Sequence, residues 1–279
     1  MSLKITTLIE NNSDKNNILY SEHGLSLYIE INEKKILFDT GQSGDFIKNA
    51  EKLKIDLNDL DFVVLSHGHY DHSGGFGKLA ENINISFKLI IGSGFFNKKY
   101  KLIEDEKYKF NGNSFDEEFI NQTNISVTNI DEDILNITED VMVFLNFERK
   151  NDFEFLNRKF YVKKNDEYVL DDFSDEIVLG IKHEKGLVII VGCSHVGLVN
   201  ILETIIKRTG MPICAVVGGS HLIEADEQRL NNTINYLKEK NIRIFRLSHC
   251  TGNSAVEKLK SEFGKRFVYN DTGNILEFN

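Results

Sequence analysis

The chain has 279 residues, 41% of them hydrophobic and 27% charged, the balance of a globular protein able to bury a large core. A formal net charge of −10 argues against nucleic acid as the main partner, because phosphate backbones select basic surfaces. Bilayer-length apolar runs, a secretory leader in MSLKITTLIENNSDKNN and any Cys-x-x-Cys are missing, so the expectation is a cytoplasmic protein with no membrane partner and no disulfide framework.

The opening third reads as short strands, KITTLI, LSLYIEI and KKILF, the last running into Asp39-Thr40-Gly41. Leu25, Leu27, Ile29 and Ile31 alternate with Ser26, Tyr28 and Glu30, the period of a half-buried strand. Phe46, Ile47, Ala50 and Leu53 predict a helix over DFIKNAEKLKI, and DFVVLS predicts the next strand. After a histidine-rich turn, Gly74-Gly75-Phe76-Gly77 leads into a short helix, KLAENI, with its amino end toward that turn. Residues from about Phe95 to Asp172 are polar and aromatic and read as a strand-and-loop insert or a pocket rim. From Glu176 the pattern sharpens. EIVLGI and LVIIVG predict an antiparallel pair, followed by helix VGLVNILETIIKR, strand ICAVVGG, helix DEQRLNNTINYLKEK and strand IRIFRL. Ser254 with Glu257 predicts a capping box opening the last helix, SAVEKLKSEF. The expectation is a single domain over 1–279, with two similar halves at about 1–94 and 176–279 around the insert at about 95–175.

Four apolar, strand-like runs stop at Ser-His: Ser66-His67, Ser194-His195, Ser220-His221 and Ser248-His249. The first continues as Gly68-His69-Tyr70-Asp71-His72, so six of the eight histidines follow strand ends. In an α/β protein the carboxyl ends of strands face one crevice where ligands collect. His67 and His69 are two apart, so an extended segment puts both rings on one side. Asp71 and His72 then offer a carboxylate and an imidazole to a second point, an arrangement for two metal ions or for one ion and a base. The bland reading, a turn of structural histidines, needs partners for several buried titratable rings.

SHGHYDHSGG resembles the His-x-His-x-Asp-His signature of the metallo-β-lactamase superfamily, and ILFDTG, VGCSHVG and LSHCTG resemble that family's other motifs. With GLSLYIE and GGSHL they look most like a branch of uncharacterised hydrolases that also holds an archaeal pterin-condensing synthase. The resemblance implies a four-layer αββα sandwich of two mixed sheets. It implies His67 and His69 as ligands of a first ion, Asp71 and His72 of a second, His195 as the remaining first-site imidazole and His249 as the last second-site ligand. Asp71 alternatively serves as a base toward the nucleophilic water, and His221 stands between direct ligation and contact with substrate. Asp39 is expected to orient the metal-binding loop by hydrogen bonds. One departure stands out. Where many members carry a bridging aspartate, this chain has Gly192-Cys193-Ser194-His195; His195 is the preferred ligand and Cys193 a small buried residue behind it.

These expectations converge on a hydrolase holding one or two divalent ions, zinc first and iron or manganese as alternatives. It would act on a small, anionic, phosphate-ester-like molecule, with Tyr100, Tyr108, Phe110 and Phe115 of the insert able to stack on a flat ring. The alternatives are a synthase acting on a pterin pyrophosphate, a non-hydrolytic iron protein for redox or sensing, and a binding module with a vestigial site. A homo-oligomer is compatible with the sequence. No Gly-x-Ser-x-Gly elbow surrounds Ser194, Gly92-Ser93-Gly94 lacks the third glycine of a dinucleotide fingerprint, and no Walker loop is present. Neighbouring residues on a strand point opposite ways, so each serine is expected not to reach its own histidine. His23 and His183 read as surface residues and Cys214 as core.

Overall fold

A computed structural model describes residues 2–84, 86–104 and 107–278. It is a mixed α/β protein whose chain divides into two compact units: residues 1–130, 157–175 and 271–279, and residues 131–156 and 176–270. Among the described residues no helix is long and apolar enough to cross a membrane.

The first unit is built on a seven-stranded mixed sheet. Its order is Ile275–Phe278, Leu3–Ile9, Ser26–Ile31, Lys34–Phe38, Phe62–Val64, Lys88–Gly92, Ser126–Ile130. The strands up to Lys34–Phe38 pair antiparallel, and the rest pair parallel. The alternation read in LSLYIEI does not leave one face wet. Tyr28 is buried with Leu8, Leu37, Phe46 and Phe76, so strand Ser26–Ile31 is covered on both faces. Helices Asp45–Lys52 and Phe76–Asn82 turn Phe46, Ala50, Phe76 and Leu79 into that core. Each fully buried Phe or Leu side chain among these contributes roughly 1.5–3 kcal/mol of transfer free energy.

Four strands of the insert form a second sheet of the same unit, antiparallel throughout, in the order Glu167–Leu170, Phe160–Lys164, Lys99–Glu104, Lys107–Phe110. Its aromatic side chains are largely spent on one another. Tyr108 stacks on Tyr168 with centroids 3.8 Å apart, Tyr100 sets its edge to Phe110, and Phe115 packs on Phe76 in the core.

The second unit carries a six-stranded sheet, Ile244–Ser248, Ile213–Gly219, Gly186–Val191, Val178–His183, Val141–Phe144, Ile134–Asn136. The first three strands are parallel neighbours, and Gly186–Val191 pairs antiparallel with Val178–His183 as read from the sequence. Gly186–Val191 and Ile213–Gly219 are buried along their whole length, which is why they read as unbroken apolar runs. Helices Leu198–Thr209, Glu227–Glu239 and Asn253–Phe263 follow. The capping box does not form: the last helix starts at Asn253, with Gly252 at φ +79° ahead of it and no side-chain cap, so Ser254 already lies inside the first turn. Asp226, by contrast, caps its helix by accepting from the Arg229 amide.

Candidate metal centre

In the first unit, strand Phe62–Val64 lies between Lys34–Phe38 and Lys88–Gly92, and the histidine segment leaves its carboxyl end. Asp39, one residue past the neighbouring strand, reaches across to it. Its carboxylate accepts from the Ser66 amide at 2.7 Å, the Ser66 hydroxyl at 2.8 Å and His72 Nδ1 at 2.6 Å. Thr40 completes the grip, its amide and hydroxyl both donating to the His72 carbonyl, at 2.7 and 3.1 Å. Asp39 holds a left-handed backbone at φ +59°, a conformation that aspartate and asparagine tolerate better than most residues.

These partners assign the imidazole tautomers. Ser66 donates its hydroxyl proton to Asp39, so it accepts from His67 Nδ1–H at 2.9 Å and leaves the Nε2 lone pair of His67 facing inward. His72 gives its Nδ1 proton to Asp39 and turns Nε2 toward Asp71 Oδ2, 4.0 Å away. The contact between Ser66 and His67 corrects the expectation that a serine cannot reach the histidine beside it. By Ser66 the backbone has left the strand, so alternation no longer governs the two side chains. Ser66 is fully buried and bound to a carboxylate, the setting of an orienting group.

His67 Nε2 and His69 Nδ1 stand 3.0 Å apart, and both residues are buried, as are Asp71 and His72. Two nitrogens held by one zinc at 2.0–2.1 Å and a tetrahedral angle lie about 3.3 Å from each other. The pair therefore fits a common ion with little movement. Burial, with the neighbouring imidazoles of His72 and His69, holds the His67 pKa well below its ordinary value, which keeps the ring neutral as a metal ligand must be. Asp71 and His72 lie on the short helix Tyr70–Ser73, and Asp71 Oδ2 also meets His23 Nε2 at 3.2 Å. His23 is thus exposed, as expected, yet tied to a candidate site residue.

The insert closes on the same segment. Asp175 Oδ2 accepts from the Gly68 amide at 2.8 Å, and Lys99 Nζ lies 2.8 Å from both Asp175 and Asp171. Phe160 and Phe173 pack on the His69 ring at 5.2 and 5.7 Å. A Cβ at position 68 would sit 2.3 Å from the Phe95 carbonyl oxygen, so only glycine fits between the two histidines. Burial lowers the Lys99 pKa, but the carboxylates of Asp175 and Asp171 outweigh it and hold the ammonium charged.

In the second unit the three parallel strands end in turns that carry His195, His221 and His249. Ser194, His221 and His249 all adopt positive φ, at +63°, +46° and +54°, the kind of strain that persists only where surrounding contacts enforce it. Those contacts are present. The amides of His195 and Val196 donate to the two oxygens of Glu176 at 2.8 and 2.9 Å, and the Ser194 hydroxyl donates to the Gly219 carbonyl at 2.8 Å. Cys250 ties the turns together: its sulfur accepts from the His221 amide at 3.2 Å and donates to the Cys193 carbonyl at 3.4 Å. The rings of His195 and His221 lie 4.4 Å apart, and the ligand atoms of Cys193, His221 and Cys250 all fall within 4.8 Å of one another. His249 is buried at the start of a short 3-10 turn.

Each unit thus brings expected residues together: His67, His69, Asp71, His72 and Asp39 in the first, and Cys193, His195 and His221 in the second, where His249 is buried in the turn that carries Cys250. Sequence reading missed Glu176, Lys99, Asp171 and Asp175. The one available signal was the run Asp171-Asp172-Phe173-Ser174-Asp175-Glu176, which looks like an exposed acidic loop.

Residues 21–176 match the family model described as the metallo-β-lactamase superfamily. The chain is 32% identical to 7,8-dihydropterin-6-methyl-4-(β-D-ribofuranosyl)-aminobenzene-5'-phosphate synthase of Methanocaldococcus jannaschii, over 99% of this chain and 97% of that protein. It is 31% identical to an uncharacterized protein of the same organism, over 98% and 99% of the two chains. Among solved structures it resembles Tm1679, a metal-dependent hydrolase of the β-lactamase superfamily, at 31% identity and a TM-score of 0.86 over 99% of each chain.

Proposed function

The chain belongs to the metallo-β-lactamase superfamily, and from that premise we propose that it is a metal-dependent hydrolase of a small anionic, phosphate-ester-like substrate. The observation that carries the reading is the pair of buried ring nitrogens, His67 Nε2 and His69 Nδ1, held 3.0 Å apart with partners that leave His67 Nε2 unprotonated. His67, His69, Asp71 and His72 are the proposed metal ligands of the first unit, and His195 and His249 those of the second. Zinc is the proposed ion, since imidazole and carboxylate suit it; iron and manganese accept the same donors. A divalent ion in such a site supplies Lewis acidity toward a phosphoryl or carbonyl oxygen and brings the pKa of water toward neutrality.

The protein's own groups do the rest. Asp39 fixes the His72 tautomer, so that Nε2 keeps its lone pair. As the alternative to ligation, the Asp71 carboxylate is proposed to take a proton from an attacking water and become neutral, with His23 Nε2 3.2 Å away orienting it while it is ionised. His221 is proposed to contact the substrate and to donate a proton to the leaving group, its turn held by the Cys250 sulfur.

A second reading has its own support, the 32% identity over nearly full length to a synthase. In that reading the same groups would promote displacement of pyrophosphate from a pterin pyrophosphate by a carbon or nitrogen nucleophile. One experiment tests the common core and separates the two. Metal content is measured by inductively coupled plasma mass spectrometry for the wild-type protein and His67→Ala/His69→Ala, and both are assayed with bis(p-nitrophenyl) phosphate and with a dihydropterin pyrophosphate plus an arylamine. Stoichiometric metal and nitrophenol release, both lost in the variant, support the hydrolase. A condensed product without phosphodiester turnover favours the synthase, and wild type that takes up no zinc, iron or manganese sinks both.

A further inference from the structure

One cluster of buried charges in the first unit is absent from the expected ligand set. Lys99, Asp171 and Asp175 are 1–2% exposed, all three in or beside the small insert sheet. Lys99 Nζ bridges Asp171 Oδ2 and Asp175 Oδ1, both at 2.8 Å. The outer oxygens of both carboxylates go to backbone: Asp171 Oδ1 accepts from the Phe173 amide and Asp175 Oδ2 from the Gly68 amide, each at 2.8 Å. A buried ion cluster is weak support for stability in itself, because desolvation offsets much of the attraction. What this one does locally is specific. It grips the peptide between His67 and His69 at its amide, while the Lys99 stem and the Phe95 carbonyl leave no room for a side chain there. Phe173, at φ +52°, packs against His69 with the two rings nearly perpendicular.

We propose that Asp175, seated by Lys99 and Asp171, is a positioning residue that holds His67 and His69 in their convergent, ligand-ready geometry before any ion arrives. The inference rests on the metal-binding reading above. The insert then acts as the outer support of the metal loop, and the affinity of the site is set partly by residues 107 positions away along the chain. Ion capture needs the two rings aimed at one point, and a loosened loop must be reordered at the expense of binding.

The amide variants test this with a matched control. Asp175→Asn and Asp171→Asn are isosteric, and each replaces a carboxylate serving two donors with an amide that has a single acceptor oxygen. Each alters one of the two carboxylates that Lys99 Nζ meets at 2.8 Å, but only Asp175 accepts from the Gly68 amide. Zinc affinity is measured by competition with a chromophoric chelator, and amide hydrogen exchange is followed in the metal-free proteins. Asp175→Asn is expected to lose affinity about 10-fold or more and Asp171→Asn less than about 3-fold, within the range of changes to groups that orient ligands. The Gly68 amide is expected to exchange slowly in the parent and in Asp171→Asn and to lose protection in Asp175→Asn. Equal losses of affinity in the two variants, or no loss in either, overturn the proposal. If the parent binds no zinc, the metal reading fails and the exchange of Gly68 alone decides this one. If Asp175→Asn does not fold, rapid exchange of Gly68 in the parent overturns the inference and slow exchange there and in Asp171→Asn supports it.

Discussion

Replacing Asp39 by asparagine isolates the group on which the His72 tautomer depends. The substitution keeps size and tolerates the left-handed backbone at φ +59°, so packing and main chain are undisturbed. The chemistry is not preserved. Oδ1 serves the Ser66 amide, and Oδ2 serves both the Ser66 hydroxyl and His72 Nδ1–H. An amide offers one oxygen and one NH₂ to these three donors. If the oxygen stays on the Ser66 amide, the NH₂ faces His72 Nδ1, which must become an acceptor. The ring proton then moves to Nε2 and blocks the nitrogen proposed to bind the ion. If the amide flips, the oxygen keeps His72 but the Ser66 amide is left facing a donor in a fully buried site, at about 1–3 kcal/mol. Losing the charge-assisted bonds adds roughly 1.5–3 kcal/mol. Calorimetric titration of zinc, thermal unfolding in excess chelator and nitrogen-15 shifts of the His72 ring follow both routes. The expected result is either a drop in affinity of about 10–100-fold with protonated Nε2, or a fall in midpoint of several degrees, roughly 2–4 °C per kcal/mol for a chain of this size. A variant with parent-like affinity and parent-like midpoint would refute the account of Asp39.

Gly68→Ala places a methyl 2.3 Å from the Phe95 carbonyl oxygen, so the segment must shift. A loss of about 1–3 kcal/mol in urea unfolding, with weaker zinc binding, is expected from overpacking, and an unchanged denaturation midpoint contradicts the crowding seen there. On the surface of the second unit, Lys150 and then Lys207 hold the Glu148 carboxyl down at about 2, below its ordinary 4.5. With the folded value depressed, its contribution is present above pH 4.5 and is lost as pH falls toward about 2. Thermal midpoints of the parent and Glu148→Gln, small in difference because the group is exposed, are expected to converge across that window. A difference independent of pH means that the ion pair contributes nothing.

Local chemistry was legible from the amino-acid sequence wherever the deciding partners are close in the chain. The His67–His69–Asp71–His72 segment needs only a strand end and a turn, so spacing alone says which groups gather. Strands such as GLVIIV and ICAVVGG declare their burial by composition, because a segment covered on both faces cannot carry polar side chains without partners. Ser254 shows where such reading stops: a capping pattern competes with the backbone that precedes it, and Gly252 had already set the helix start.

Tertiary structure alone decided which charged residues are buried and what they grip. Asp171, Asp175, Glu176 and Lys99 have the composition of a solvated loop, and in isolation each would stay in water. In the first unit the insert sheet and the His67–His72 segment bring Asp175 to the Gly68 amide, and in the second unit Glu176 meets the amides of His195 and Val196. Those hydrogen bonds join positions 107, 19 and 20 residues apart, and in the first case the match depends on the register of strands between them. The sequence determined which atoms could hold an ion. The fold determined their tautomers and aim, because a ring nitrogen is protonated or bare according to the neighbour that packing puts beside it.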